Sequence, residues 1–193
     1  IPPGVESSWF KVERKPSSNS SLLYWGRLED EKGLPELFHA LEIVSKIIKD
    51  INLIIVGEGN RLMNYKSLVA DLSLTDRVQF MGWLNSSKIQ SLSAQSSLGL
   101  FPSRVESFGL SVVEAMATGL PVIAASGGAL QENVEEGVTG TLVPINNAGA
   151  LAKAIISTLE NLKHTESMAR EAKKAVQHKF NWDKAANKMV DLY

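Results

Sequence analysis

Apolar and polar positions alternate between two rhythms along most of the chain. Unbroken apolar runs recur at 21–26 (SLLYWG), 51–57 (INLIIVG), 78–82 (VQFMG), 97–101 (SLGLF), 121–125 (PVIAA) and 139–143 (TGTLV). Runs of that length without an alternating polar partner predict strands buried on both faces. Between them the apolar residues return every third or fourth position. Leu34, Leu37, Leu41, Val44 and Ile48 predict an amphipathic helix over 34–48, with Pro35 in its first turn. Further helices are predicted over 61–72, 85–94 (with Asn85 and Ser86 as caps), 109–118, 130–135, 148–162, 166–178 and from Asp183 onward. Residues 11–20, KVERKPSSNS, are polar and without period, and read as a loop or linker.

Strands separated by helices predict an α/β fold with a parallel sheet covered on both faces. Right-handed crossovers make it a doubly wound parallel sheet, Rossmann-like in plan. Ligands in such sheets bind beyond the carboxyl ends of the strands. The loops that follow strands therefore matter most: 26–33, 57–60, 82–86, 102–109 and 125–129.

Composition narrows the function classes. The chain has 193 residues, 44% apolar and 21% charged, enough to bury a real core. Its formal charge of −1, with no basic stripe, gives no electrostatic reason to bind nucleic acid. No apolar run approaches the ~20 residues of a membrane span, so no transmembrane segment is expected. There are no cysteines, which removes disulfides and thiolate metal sites and fits a reducing, cytoplasmic compartment. The chain begins at Ile1, and IPPGVESSWF reads as the interior of something longer.

Three of the strand-following loops carry candidate chemistry. GRLEDEKG (26–33) places Arg27 and Lys32 at the ligand edge, where a guanidinium fork and a mobile ammonium suit phosphate oxygens. A solvated loop with local salt bridges explains the same two cations. Glu29, Asp30 and Glu31 invite a metal reading, but three neighbouring acids point different ways and no histidine joins them. VGEGNRL offers Gly57 and Gly59 but Leu62 where a dinucleotide fingerprint has its third glycine, so a tight strand-to-helix turn explains it as well. ESFGLSVVEAM (106–116) sets Glu106 and Glu114 around a predicted helix start at Gly109. Open amides of Gly109, Leu110 and Ser111 would attract phosphate there. Glu114 would lie on the order of 7 Å further along the axis than the tip. Carboxylates flanking an anion site suit a ligand that also carries hydroxyls, as a nucleoside diphosphate sugar does. A dipole-favoured acid at the first turn and a solvated helix acid remain the plainer alternative.

Taken in order, these stretches resemble the retaining glycosyltransferases of GT-B fold, specifically their nucleotide-sugar-binding C-terminal domain. IPPGV (1–5) is similar to the segment that leads into that domain. GRLEDEKG, IIVGEG and VQFMGWL resemble its successive loops and strands. PSRVESFGLSVVEAMATGLPVIA contains its Glu-x7-Glu motif with Phe108-Gly109 between, and GGALQENVEEGVTGTLV and FNWDKAANKMVDLY resemble its closing segments. Gln131 stands where many relatives have proline.

The resemblance implies one half of a GT-B glycosyltransferase. Residues 1–20 would lead in from an N-terminal acceptor-binding domain outside this sequence, 21–178 would form the donor domain, and 179–193 a C-terminal helix. It implies transfer of a sugar from a nucleoside diphosphate to an acceptor hydroxyl with configuration retained, without metal or other cofactor. Glu106, Arg27 and Lys32 would be the catalytic group. Gly26, Gly57, Trp83, Leu84, Phe108, Gly109, Leu110, Ser111 and Glu114 would bind the UDP- or GDP-linked donor, with Glu114 at the ribose and the backbone near Trp83 and Leu84 at the base. His39, His164 and His178 fall on predicted helices away from these loops. Peripheral membrane association of the longer chain stays open. So do a non-catalytic nucleotide-sugar-binding module, a GT-B type nucleotide-sugar epimerase and, against the broken glycine pattern, a dehydrogenase.

Overall fold

The computed structural model describes residues 4–15 and 20–180. A single helical turn, α1 (Ser7–Phe10), precedes the sheet. The strands are β1 (Ser21–Trp25), β2 (Asn52–Val56), β3 (Val78–Phe80), β4 (Leu98–Phe101), β5 (Val122–Ala125) and β6 (Thr141–Val143). The helices between and after them are α2 (Leu34–Ser45), α3 (Leu62–Asp71), α4 (Ser86–Gln95), α5 (Leu110–Thr118), α6 (Leu130–Asn133), α7 (Ala148–Glu160) and α8 (Leu162–Lys179).

All six strands run parallel, in the order β3-β2-β1-β4-β5-β6. The chain builds outward from β1 to β3, then returns to the other side of β1 and builds out to β6. That reversal puts a crevice between the carboxyl ends of β1 and β4, where doubly wound sheets take their ligands.

β1 shows why its residues form a central strand. All five are buried. Leu22 and Tyr24 face one core, with Phe38 and Leu41 of α2 and Ile155 of α7. Leu23 and Trp25 face the other, with Val113 and Met116 of α5 and Val176 of α8. Alternate side chains go to opposite faces, and both faces are covered. Truncating Leu22, fully inaccessible, to alanine should cost about 2–5 kcal/mol.

Differences from the expected elements have local causes. α2 ends at Ser45, and Ile47 and Ile48 both donate to the Val44 carbonyl as the chain turns off the helix axis. Ile48 still packs on the core, so its apolar spacing outruns the helix. α8 starts at Leu162, four residues before the expected start, with Asn161 alone separating it from α7. Asn85 caps α4 by accepting from the Lys88 amide at 3.0 Å. α1 had no sequence signal beyond SSWF. It forms because Trp9 is buried against the second core, while the Val5 amide donates to the Phe180 carbonyl at 2.9 Å. The start of IPPGV at 1–3, the loop residues 16–19 and the helix expected from Asp183 lie outside the described residues.

Candidate functional site

The loop after β1 is set by backbone bonds before any side chain acts. Gly26 N–H donates to the Val56 carbonyl at 3.0 Å and Leu28 N–H to the Glu58 carbonyl at 2.8 Å. Tyr24 Oη donates to the Arg27 carbonyl at 2.9 Å. The loop ends in a 3-10 turn, Asp30–Lys32, closed by Gly33 in the left-handed region at φ 67°. A Cβ on Gly33 would lie 2.1 Å from the Pro102 carbonyl oxygen, so this loop rests directly on the loop after β4. The Arg104 amide, donating to the Glu31 carbonyl at 2.8 Å, fastens the two together.

This contact aims Lys32 at Glu106. Nζ lies 2.7 Å from Oε2, with side-chain exposures of only 11% and 17%. The pair is mostly out of water, where loss of one partner strands the other. The Glu106 carbonyl accepts from the Ala129 amide at 2.9 Å, which brings in the loop after β5. Three strand-following loops thus meet at one residue, Glu106: one at its carboxylate, one at its backbone carbonyl and the third carrying it.

α5 begins four residues after Glu106. Gly109 is its N-cap, at φ 78°, and its carbonyl accepts from Val113 at 3.2 Å. The first amides of an α-helix have no partner inside it, and they carry the positive end of its dipole. Leu110 is exposed and Ser111 half-buried at this end. Phe108 just ahead is held from both sides: its carbonyl accepts from Asn133 Nδ2, and its ring meets Phe180 edge-on at 5.5 Å.

Glu114, inside α5, returns toward the end of β1. Its Oε2 accepts from Trp25 Nε1 at 3.1 Å. Burial pushes its carboxyl up to about 7; the indole bond opposes that rise and nearby Glu6 adds to it.

The remaining expected residues are more dispersed. Arg27 reaches into solvent, 69% exposed, paired with Glu31 at 2.9 Å. The three acids of its loop go to three partners: Glu29 accepts from the Asn60 amide at 3.4 Å, Asp30 pairs with Arg61, and Glu31 pairs with Arg27. Among the described residues no group of three or more His, Cys, Asp or Glu converges as a metal site. Gly57 donates its amide to the Gly82 carbonyl at 2.8 Å, as Gly26 does to Val56, so both amides are engaged. Gly57 is required for another reason: at φ 138°, its Cβ would sit 1.9 Å from the Gly26 carbonyl oxygen. Trp83 is 70% exposed, while Leu84 packs on the second core. His39, His164 and His178 sit exposed on α2 and α8.

Two features of the site escaped the sequence reading. Trp25, immediately before Gly26, reaches across to Glu114. Arg104 pairs with Glu36 of α2 at 2.6 Å and braces the loop carrying Glu106. An aromatic at the last position of a strand and a basic residue two before Glu106 were the only signals. Gln131, standing where the family resemblance suggests proline, donates Nε2 to the Ser126 carbonyl at 2.9 Å and steadies that turn.

The model of the family "Glycosyl transferases group 1" matches residues 5–175. The chain belongs to the glycosyl transferases group 1. An uncharacterised glycosyltransferase of Methanocaldococcus jannaschii is 32% identical over 174 residues, covering 89% of this chain and 44% of that protein. Glycogen synthase of Mycobacterium tuberculosis is 30% identical, covering 98% of this chain and 46% of that one. Sucrose-phosphate synthase of Thermosynechococcus elongatus superposes with a TM-score of 0.89 at 31% identity, over 100% of this chain and 51% of that one. HepE of Anabaena, solved in complex with UDP, superposes at 0.86 with 26% identity, over 98% of this chain and 55% of that one. The sheet, its order and its flanking helices are those of a GT-B glycosyltransferase domain. This group 1 chain spans about half the length of the curated relatives it matches. No helix among its described residues is long and apolar enough to cross a membrane.

Proposed function

We propose that this chain is the donor-binding half of a retaining glycosyltransferase, which moves a sugar from a nucleoside diphosphate to an acceptor hydroxyl. The observation that carries this reading is the Lys32–Glu106 pair, 2.7 Å apart and mostly buried, beside the open amino end of α5. The donor's pyrophosphate docks at the amides of Gly109, Leu110 and Ser111, with Lys32 and Arg27 as its cations. Glu106 hydrogen-bonds the sugar hydroxyls and fixes the anomeric carbon. Glu114 takes the ribose, and the backbone at Trp83 and Leu84 the base. Charge growing on the departing diphosphate is met by fixed cations and amides, so the step calls for no metal or other cofactor. HepE has been solved with UDP and with UDP-glucose, which makes uridine donors the first to try.

The acceptor belongs to an N-terminal domain outside this sequence, so the chain alone binds donor without turnover. Thermal shift against UDP-, GDP- and ADP-sugars tests the donor site: a ligand at 100 times its Kd should add roughly 2.7 kcal/mol of stability. A sugar-transfer assay on the whole protein, with and without chelator, tests the reaction. No shift with any nucleotide sugar would falsify the reading. Activity that disappears with chelator and returns with a divalent ion removes its metal-independent part.

A further inference from the structure

The second core reaches the candidate donor site through two stacked indoles. Trp9, on α1, lies flat against Trp25, with ring centroids 6.1 Å apart and planes 9° from parallel. Phe101, at the end of β4, meets Trp25 edge-on at 5.0 Å. Trp9 and Trp25 are only 2% and 5% exposed, so the Trp25 ring is packed in place. An indole has one donor, and that of Trp25 goes to Glu114 Oε2 at 3.1 Å. Among the described residues this is the hydrogen bond that the Glu114 carboxyl accepts; Oε1 takes none. The charged group facing Glu114 is Glu6, from the segment ahead of α1 and of like sign.

We propose that Trp25, clamped by Trp9 and Phe101, is a positioning residue: it holds one oxygen of Glu114 so that the other is presented to a hydroxyl of the bound nucleotide sugar. This rests on the donor-site reading above. A glutamate on a helix samples several rotamers, and freezing one upon binding costs affinity. Trp25 does that freezing before the ligand arrives. Through Trp9, the segment that precedes the sheet contributes to the donor site.

The test uses the whole protein and whichever of UDP-, GDP- and ADP-glucose binds it most tightly. A nucleotide sugar is chosen because its pyrophosphate, unlike a terminal phosphate with a second pKa near 6, holds its charge across neutral pH. Trp25→Phe keeps a buried ring and removes the N–H. Its affinity at pH 8 is expected to fall about tenfold, the effect of one hydrogen bond to a charged group. The pH at which affinity titrates, near 7 in the parent, is expected to move up, because the lost bond favoured the ionised carboxyl. Glu114→Gln should abolish that pH step. Trp9→Phe, which keeps the indole of Trp25 and loosens its stack, should shift affinity and midpoint the same way by less, and serves where Trp25→Phe does not fold. Unchanged affinity and midpoint in these variants, with or without lower thermal stability, overturns the positioning role and leaves the donor site standing. Failure of the parent to bind any of the three overturns the donor-site reading and this inference with it.

Discussion

The two edges of the sheet use cations in different ways. At the amino edge, Arg14 donates to the carbonyls of Ser93 and Ser96, at 3.1 and 2.8 Å, closing the end of α4. Arg77 does the same for the Ile51 carbonyl, 3.2 Å away, ahead of β2. These guanidiniums satisfy backbone groups that would otherwise lie open. Burial pulls Arg14 down to about 10, the cost of placing a cation there. At the carboxyl edge, Lys32 ends instead on the Glu106 carboxylate, beside helix amides with no partner in the helix. A cation that completes the backbone is structural. On the proposed reading, one that faces a carboxylate beside open donors serves a ligand instead.

That contrast breaks most visibly at Glu106. In the whole protein, Glu106→Gln is expected to lower turnover more than ~100-fold while the protein stays folded, at a cost on the order of 2 kcal/mol because Lys32, only 11% exposed, loses its partner. Near-normal turnover removes Glu106 from the catalytic group. Lys32→Met should weaken nucleotide-sugar binding about tenfold and cost on the order of 2 kcal/mol of stability, because Glu106 is left half-buried without its partner. Adding Glu106→Gln to Lys32→Met should recover part of that stability, measurable by denaturant titration; no recovery means the two charges are not coupled. Arg14→Met should show the mirror image: about 1–2 kcal/mol less stable, from unmade bonds to buried carbonyls, with donor affinity unchanged by calorimetry. A loss of affinity there erases the distinction between the edges.

The smallest effect is pH-dependent. Glu114 is raised from 4.5 to about 7, chiefly by burial, so the folded chain holds that proton more tightly than the unfolded one. Its stabilising contribution is full below about pH 4.5 and is lost as pH rises through about 7. Glu114→Gln should flatten this part of the stability profile, and an unchanged slope between pH 5 and 8 assigns it to other groups.

Much of this was legible in the sequence because the informative features are local. β1, β2, β4 and β5 each appear as an unbroken apolar run, since a strand covered on both faces has no polar side to show. Glu106, Gly109 and Glu114 lie within one short stretch around a helix start. What stayed hidden depends on distance along the chain. Trp25 and Glu114 are 89 positions apart, and nothing local marks their bond. Lys32 and Glu106, 74 apart, were both singled out, yet each for a ligand rather than for the other. α1 is one turn long, too short to display a helical period, and owes its form to the burial of Trp9. Helix ends also escaped notice where apolar spacing continued past the turn, as at Ile48.

The central claim is where the pyrophosphate sits, and a structure of the chain with a bound nucleotide sugar tests it most directly. The expected result puts phosphate oxygens within hydrogen-bond distance of the Leu110 and Ser111 amides and of Lys32, with the ribose at Glu114. A nucleotide lodged instead on the loop at 57–60, with the amino end of α5 untouched, contradicts it.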